Sequence, residues 1–265
     1  MKKLMLLLLA ALMLLTLSAH AETFKVGMEC NYAPFNWTQA DASEFTVPLT
    51  AGGYADGYDV QVALFIAAEL GLELEIVKTE WDGLPLALTS GKIDAIIAGM
   101  SPTAQRKVTL DFSVPYYESD LVIVINKESQ YISANSLADF SGAKITGQLN
   151  TFHYSVIDQI PGVKKQTALD TFPAMIVALS SGRIDGYVSE RPGALSAVAS
   201  NPDFTFVSFG EGLGFEASEE DTAVAVGLRK ESPLMDSINA ALAKLDKDTR
   251  TQLMNEAMSR QPLSE

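Results

Sequence analysis

The sequence predicts an α/β fold built from two lobes, and three observations support that prediction. Two stretches, WDGLPLALTSGKIDAIIAG starting at Trp81 and FPAMIVALSSGRIDGYVSE starting at Phe172, match at a constant offset of 91 residues. Each has the pattern of an amphipathic helix, a glycine at its C-terminal cap and a short apolar strand. Strands alternate with helices around both copies, which is typical of mostly parallel sheets flanked by helices.

The first 21 residues are expected to be a signal peptide rather than part of the fold. Two lysines precede an apolar run over residues 4–17, and the small-residue sequence Ala-His-Ala ends at Ala21. The run is shorter than the roughly 20 residues that a membrane-spanning helix needs. We therefore expect cleavage after Ala21. No lipid anchor is expected, because the cysteine does not lie at the end of this segment.

The first lobe is predicted from patterns on both sides of the first repeat copy. FKVGME and LELEIVK have the pattern of strands, and YDVQVALFIAAELG between them has that of a helix. Two amphipathic helices are predicted near residues 233–245 and 249–259, and we expect them to return to this lobe. Lobe 1 is therefore assigned to residues 22–118 and 225–265.

The second lobe is predicted from the residues ahead of the second repeat copy. KITGQL, FHYSVIDQI and GVKKQTA have the patterns of a strand, a helix and a strand. DLVIVINK, which begins at residue 120, is predicted as a strand that crosses between the lobes, and TAVAVGLRK as a strand that follows the second lobe. Lobe 2 is assigned to residues 119–224, with hinge crossings near residues 118–122 and 214–224.

The composition argues against several classes of partner. A formal net charge of −14 makes nucleic acid and anionic lipid poor partners. Cys30 is the one cysteine, so an intrachain disulfide is impossible, and a buried free thiol is favoured over a reactive one. His153 is the one histidine after position 21, so no His/Cys cluster can bind a transition metal. We expect neither a metal nor a cofactor.

The candidate site lies where ligands bind in open α/β sheets, beyond the carboxyl ends of the strands. Trp81 and Tyr32 are candidate aromatic walls, although a single aromatic residue is more often part of a core. The residues that follow the predicted strands are Glu29, Asn31, Tyr32, Gly99, Ser101, Thr103, Arg106, Asn150, Thr151, Phe152 and Glu190.

Two of these residues carry opposite charges on opposite lobes. Arg106 offers a planar guanidinium that matches a carboxylate. Pro102-Thr103 has the pattern of a helix start, whose free N–H groups favour an anion. Glu190 favours a cation, so the pair suits an α-amino acid. The alternatives are a solvated salt bridge for Arg106 and a helix-capping role for Glu190.

Glu29 bears on the choice of side chain. It ends the first predicted strand near the aromatic walls, where a carboxylate suits a cationic side-chain tip. A role as a cap of the following loop is equally compatible with its position.

The sequence resembles the amino-acid-binding family of extracytoplasmic solute-binding proteins that serve ABC importers. The resemblance rests on VGMECNYAPFNW, YADGYDVQVALFIAAELG, LALTSGKIDAIIAGMSPTAQRKVTLDFSVPYY, LVIVINK and VAVGLRK. It implies a two-lobed periplasmic-binding-protein type II fold that closes about two hinge crossings on one free L-amino acid. It implies that the α-carboxylate is held by Gly99, Ser101, Thr103 and Arg106, with Thr151 from across the cleft, and the α-ammonium by Glu190.

The same resemblance implies a location in the periplasm, an ABC permease of the inner membrane as partner, and a monomer. Members with an acid at the position of Glu29 often take lysine, arginine, ornithine or histidine, so a basic ligand is the first choice. Glutamine is the alternative, because glutamine binders can also carry an acid there. A dehydratase of the same fold is less favoured, because no nucleophile-base pair is visible.

Three features depart from the family pattern. Glu190 stands where the family usually has Asp, and Asn150 precedes Thr151 where the family usually has Gly-Thr. Residues 41–55 resemble an insertion in the first loop, to which the sequence assigns no function.

Overall fold

Two five-stranded sheets form the framework of the computed structural model, which describes residues 22–262. The predicted signal peptide lies outside the described residues. The sheets are flanked by helices, so the predicted α/β fold class is confirmed.

The described elements are sixteen strands, eight α-helices and four 3-10 helices, several of them short. The strands are β1 (Thr23–Met28), β2 (Asn31–Tyr32), β3 (Asn36–Gln39), β4 (Val47–Pro48), β5 (Tyr54–Asp56), β6 (Glu73–Lys78), β7 (Ala95–Ile96), β8 (Leu110–Phe112), β9 (Tyr117–Glu118), β10 (Leu121–Asn126), β11 (Lys144–Thr146), β12 (Lys164–Lys165), β13 (Gly186–Glu190), β14 (Phe204–Val207), β15 (Ala223–Val224) and β16 (Gly227–Arg229). The α-helices are α1 (Tyr58–Leu70), α2 (Leu84–Thr89), α3 (Phe152–Ser155), α4 (Phe172–Ser180), α5 (Arg191–Ser200), α6 (Glu219–Thr222), α7 (Met235–Leu242) and α8 (Lys247–Arg260). The 3-10 helices are Trp81–Gly83, Arg106–Val108, Leu137–Phe140 and Val156–Gln159.

Both large sheets have the same mixed arrangement. The first has the order β6-β1-β7-β16-β8, with β1 parallel to its neighbours and β16 antiparallel to its own. The second has the order β12-β11-β13-β10-β14, with β11 parallel and β10 antiparallel to their neighbours. The fourth place in each sheet is therefore taken by the strand that follows a crossing from the other lobe. These strands run against the other four, so each sheet has two parallel and two antiparallel strand pairings, and four of its five strands point the same way.

The two crossings run side by side as a two-stranded ladder. Glu118 of β9 lies opposite Ala223 of β15, and Tyr117 lies opposite Val224. The ladder falls within or beside the predicted crossing regions. The residue boundaries of the lobes stay a prediction.

The sequence repeat corresponds to a repeated piece of structure. Asp94 donates its backbone N–H to the carbonyl oxygen of Lys25 at 2.7 Å, and its carboxylate accepts from the Lys25 N–H at 3.0 Å. Asp185 forms the same pair of bonds with Lys144, both at 2.8 Å. In each lobe the aspartate of the repeat thus bonds to a neighbouring strand of the sheet, β1 in the first and β11 in the second. Both strands end at the cleft.

The C-terminal helices α7 and α8 pack on α1, as the sequence predicts. Residues 41–55 belong to a further antiparallel sheet of order β2-β3-β5-β4. The Arg260 guanidinium of α8 lies 3.9 Å from the centre of the Phe45 ring and donates to Asp56. This region is therefore tied to the C-terminal helix, and it does not line the cleft described below.

Cys30 follows β1 in a left-handed conformation with φ of 56°. The thiol is free and buried, as expected from the sequence. Burial raises the pKa of Cys30 to about 12, so the thiolate is not populated at neutral pH.

Candidate functional site

A nearly closed cleft, with room for about one water molecule (about 10 Å³), lies where residues of both sheets meet. Six of the nine predicted site residues line it, while Glu29 and Glu190 do not line it but contact residues that do. Thr103 is not among the lining residues. The lining residues are Tyr32, Trp81, Gly99, Ser101, Arg106, Gln148, Thr151, Phe152, His153 and Phe172.

Arg106 holds its guanidinium in the cleft without a carboxylate partner. Its Nη1 donates to the Ser101 carbonyl oxygen at 2.9 Å, and its Nη2 donates to the Asn150 carbonyl oxygen at 3.2 Å. The guanidinium carbon lies 5.0 Å from the centre of the Trp81 ring. Burial lowers the pKa of Arg106 to about 10, so it stays protonated at neutral pH. Among the described residues no carboxylate lies within ion-pair distance, which argues against the surface salt bridge.

The expected helix start at Pro102-Thr103 is wrong. The chain forms a turn there, and a three-residue 3-10 helix begins at Arg106. The Thr103 hydroxyl accepts from the Arg106 N–H at 3.4 Å, and its carbonyl oxygen accepts from the Lys107 N–H at 3.0 Å. These bonds close a single turn that orients Arg106. A contact between Thr103 and a ligand stays a prediction.

Glu190 is buried at the end of β13 and contacts two residues that line the cleft. The Tyr32 hydroxyl donates to its Oε2 at 3.2 Å, and His153 Nε2 lies 3.5 Å from its Oε1. Glu190 immediately precedes α5, yet its side chain makes no capping hydrogen bond to that helix. The capping alternative is therefore not what the structure shows, and the carboxylate contacts the cleft-lining residues Tyr32 and His153 instead.

Glu29 is buried, and its carboxylate contacts Gln148, a cleft-lining residue of predicted lobe 2. Gln148 Nε2 donates to its two carboxylate oxygens at 3.2 and 3.3 Å, and also to the Asp170 carbonyl oxygen at 3.0 Å. Burial raises the pKa of Glu29 to about 7, against the opposing effect of hydrogen bonds from Gln148 and Asn31. The loop that follows is held by Asn36 rather than by Glu29, because Asn36 Oδ1 accepts from the Cys30 N–H at 2.7 Å.

The side walls of the cleft are aromatic. The Tyr32 ring stacks between Phe172, at 4.0 Å between centroids, and Phe35, at 5.0 Å. Phe172 also meets the His153 ring edge to face at 6.0 Å. A wall of directly stacked rings beside polar groups suits an extended side chain whose end carries a delocalised or hydrogen-bonding group.

Asn150 joins the two lobes at the mouth of the cleft. Its φ of 56° is left-handed, which explains why Asn can stand where the family usually has Gly. Its carbonyl oxygen accepts from Arg106 and, at 3.5 Å, from Trp81 Nε1, while its side-chain amide donates to Asp82 at 2.9 Å. Thr151 turns its hydroxyl back to the Gln148 carbonyl oxygen at 2.7 Å.

Three lining residues were not named from the sequence as part of the site, and Phe152 was named only as a residue that follows a strand, without a role. The three are Gln148, His153 and Phe172. Phe172 could have been found, since it occupies the position in the second repeat copy that Trp81 occupies in the first. Gln148 and His153 flank the predicted Thr151 within one strand-end loop, and no pattern in the sequence distinguishes them from ordinary loop residues.

Comparisons with known proteins agree with this geometry. The bacterial extracellular solute-binding proteins, family 3, match the chain over residues 24–259. The chain belongs to this family. It is therefore a solute-binding protein and not an enzyme, and the dehydratase alternative is set aside. None of the helices in residues 22–262 is both long enough and apolar enough to span a bilayer.

Individual members of this family show what the chain is similar to. A probable histidine-binding protein of Campylobacter jejuni is 35% identical over 73% of this chain and 71% of its own length. The L-cystine-binding protein TcyJ of Escherichia coli is 30% identical over 88% of this chain and 81% of its own. The structure of an amino acid ABC transporter substrate-binding protein from Streptococcus pneumoniae bound to L-arginine is 29% identical, with a TM-score of 0.78 over 89% of this chain and 94% of that one. These relatives bind different amino acids, so the family alone does not fix the ligand.

Proposed function

We propose that this solute-binding protein serves an amino-acid ABC importer and that its ligand is a basic L-amino acid, of the class of arginine, lysine, ornithine and histidine. One observation carries the choice. One guanidinium, that of Arg106, lines the cleft, and two buried carboxylates, Glu29 and Glu190, contact its lining residues. A basic amino acid presents the complementary set of one carboxylate and two cations. A neutral amino acid would leave Glu29 without a cationic partner.

The two ends of the ligand have separate partners in this proposal. The α-carboxylate meets the Arg106 fork and the backbone near Gly99 and Ser101, and the α-ammonium meets Glu190. The side chain then runs between the aromatic rings towards Glu29. Gln148 now donates to Glu29 across the cleft, and the cationic tip of the ligand takes the place of that weaker amide donor, since charge-assisted bonds are the stronger.

A second candidate, glutamine, has an observation in its favour. With its pKa raised to about 7, Glu29 is partly protonated at neutral pH. A protonated carboxyl group can donate a hydrogen bond to a side-chain amide, and this needs no cation. The relatives named above divide between basic and neutral ligands, so the experiment must compare both classes.

The other parts of the proposal concern transport. The protein acts in the periplasm as a monomer, the predicted signal peptide is cleaved after Ala21, and closure of the lobes about the β9–β15 ladder presents the loaded form to a permease of the inner membrane. The bonds that Asn150, Gln148 and Tyr32 make across the cleft are the contacts that such a closed form would keep or exchange.

The test is calorimetric titration of arginine, lysine, histidine and glutamine into the wild type and Glu29→Gln. A charged hydrogen bond in a partly dry site is worth about 1.5–3 kcal/mol, or roughly 10- to 150-fold in affinity. We expect that loss for arginine or lysine and a much smaller loss, or a gain, for glutamine. Glu80→Gln removes an exposed carboxylate near Glu29 and is the matched control.

Two results would overturn the choice of ligand. If glutamine is the tightest ligand of the wild type, the ligand is neutral. If Glu29→Gln binds arginine as tightly as the wild type does, Glu29 does not contact the side chain.

A further inference from the structure

We infer that Asp59, which lies behind the cleft and touches none of its space, is a positioning residue that fixes both ends of the amino-acid site at once. The inference rests on the proposed function, because it concerns how the same site is held. Asp59 is in the first turn of α1, and its exposed fraction is 0%. Its two carboxylate oxygens accept from two different side chains, and each side chain leads to a different end of the site.

One oxygen controls the loop that carries Glu29. Asn36 Nδ2 donates to Asp59 Oδ2 at 2.8 Å, which leaves Asn36 Oδ1 to accept from the Cys30 N–H at 2.7 Å. The backbone at Cys30 is left-handed, with φ of 56°, a conformation that is unfavourable for a residue with a Cβ. The Asn36 bond therefore holds the chain in the conformation that turns Glu29 into the cleft.

The other oxygen controls the turn at Gly99. The Tyr116 hydroxyl donates to Asp59 Oδ1 at 2.7 Å and accepts from the Gly99 N–H at 3.4 Å. Gly99 has φ of 64°, and a Cβ there would lie 3.1 Å from the Tyr32 ring. The position of this turn sets where the backbone and then Arg106 meet the α-carboxylate.

Stability alone does not account for a carboxylate at this place. No cation pairs with Asp59 among the described residues, and burial raises its pKa to about 7 although Tyr116, Asn36 and the Gly99 backbone favour the ionised form. A buried unpaired carboxylate costs free energy. Position 59 nevertheless needs two acceptor atoms, because Asn36 and Tyr116 both donate to it.

This donor pattern allows a sharp test by exchange of two side chains. Asp59→Asn supplies one acceptor and one donor, so one of its two contacts is lost in either orientation of the amide. With the amide oxygen towards Tyr116, its NH2 faces the NH2 of Asn36. With the oxygen towards Asn36, its NH2 donates to the Tyr116 hydroxyl, whose own O–H then has to turn away from position 59 and loses its acceptor. Turning the Asn36 amide over only moves the conflict to the Cys30 N–H. Adding Asn36→Asp removes the conflict, because the carboxylate then lies at position 36 and accepts from both Cys30 and position 59, whose amide oxygen accepts from Tyr116.

The experiment first titrates the twenty amino acids and ornithine into the wild type by calorimetry. Arginine and glutamine are then titrated into Asp59→Asn, the double variant Asn36→Asp/Asp59→Asn and Tyr116→Phe. We expect Asp59→Asn to weaken both ligands at least tenfold with a stoichiometry near one, and the double variant to return both to within threefold of the wild type. Tyr116→Phe removes the hydroxyl that joins Asp59 to the Gly99 N–H and leaves the bond from Asn36 to Asp59 in place, and it is expected to weaken both ligands about equally.

The possible failures are distinct. A wild type that binds no amino acid overturns the proposed function and this inference with it. If the wild type binds and Asp59→Asn binds with the same affinity and stoichiometry, Asp59 has no role in the site. If Asp59→Asn binds with the same affinity but a lower stoichiometry, Asp59 affects only the fraction of folded protein. Either result overturns the inference. A double variant no better than Asp59→Asn also overturns the inference. If Asp59→Asn does not fold, the test rests on Tyr116→Phe. Wild-type affinity of that variant for both ligands overturns the inference.

Discussion

The two copies of the repeat build opposite walls of one cleft, and they differ most where they end. Both begin with an aromatic residue that lines the cleft, Trp81 in the first and Phe172 in the second. Both carry the aspartate that ties the repeat to the neighbouring strand. The first copy then ends at Gly99, a turn with no side chain, whereas the second ends at the carboxylate of Glu190.

This difference shows how one scaffold used twice can face a ligand with two opposite charges. The first copy leaves room for backbone N–H groups and for the guanidinium of Arg106, which follows a few residues later. The second supplies the negative charge directly, with Tyr32 and His153 to hold it. The scaffold determines the distance between the two ends, and the residue at each end determines the sign.

The largest effect is expected from removal of the positive end. Arg106→Ala should cost about 2–5 kcal/mol of binding free energy, the range for a desolvated charge left without its partner, or roughly 30-fold to several thousandfold in affinity. Arg106→Lys should recover little, because a point charge cannot reproduce the planar fork. Calorimetry measures the affinity and thermal melting confirms the fold. An alanine variant within threefold of the wild type would show that the anion is held elsewhere.

Removal of the negative end should have a smaller effect that depends on the α-amino group. Glu190→Gln keeps the shape of the side chain and should cost about 1.5–3 kcal/mol for an amino acid, or roughly 10- to 150-fold. An analogue of arginine that lacks the α-amino group should bind the variant and the wild type alike. Glu190→Asp tests the length of the side chain. Equal losses for both ligands in Glu190→Gln would contradict an ammonium contact.

The smallest effect is on the pH dependence of the stability of the ligand-free protein, and it comes from the burial of Glu29. Burial raises the pKa of Glu29 from 4.5, the value for a solvated glutamate, to about 7 in the folded protein. The folded state therefore binds the proton more tightly, and stability falls as the pH rises from about 4.5 to 7. We expect about 1–2 kcal/mol from Glu29, less than the full pKa difference implies, because lobe opening hydrates the site.

Thermal melting of the ligand-free wild type and Glu29→Gln at pH 5 and pH 8 measures the contribution of Glu29 to the pH dependence of stability. The variant should lose less stability between the two pH values, by roughly 2–8 °C in Tm, given about 2–4 °C per kcal/mol for a chain of this size. An identical pH dependence in both proteins would show that Glu29 is hydrated in solution.

Much of the fold could be predicted because its signals are local. Helix, glycine cap and strand follow one another within nineteen residues in each repeat copy, and Gly91 and Gly182 both adopt the left-handed conformation expected at such caps. The direction of β10 and β16 could not be predicted in the same way. The direction depends on which end of the sheet the chain reaches after it crosses from the other lobe. That end is determined by the three-dimensional course of the chain and not by the residues of the strand.

The candidate site could be predicted where a residue follows a strand and carries a distinctive group, as Arg106 and Glu190 do. It could not be predicted where the role arises only from packing. Asp59 lies in a helix start that resembles any amphipathic helix, and Gln148 acquires its partner Glu29 from the other lobe. The helix start expected at Pro102-Thr103 failed because Thr103 closes a single turn instead of beginning a helix.

The order of the strands also bears on how the chain folds. The second sheet uses only β10 to β14, which are consecutive in the chain, whereas the first sheet needs β16 from near the C-terminus between β7 and β8. Contacts between segments far apart in sequence form later, because closing a long loop costs entropy. We therefore expect the second lobe to fold as an autonomous unit while the first lobe stays open along β7 and β8. A chain truncated before β16 should leave one lobe with protected amide hydrogens and the other exchanging freely.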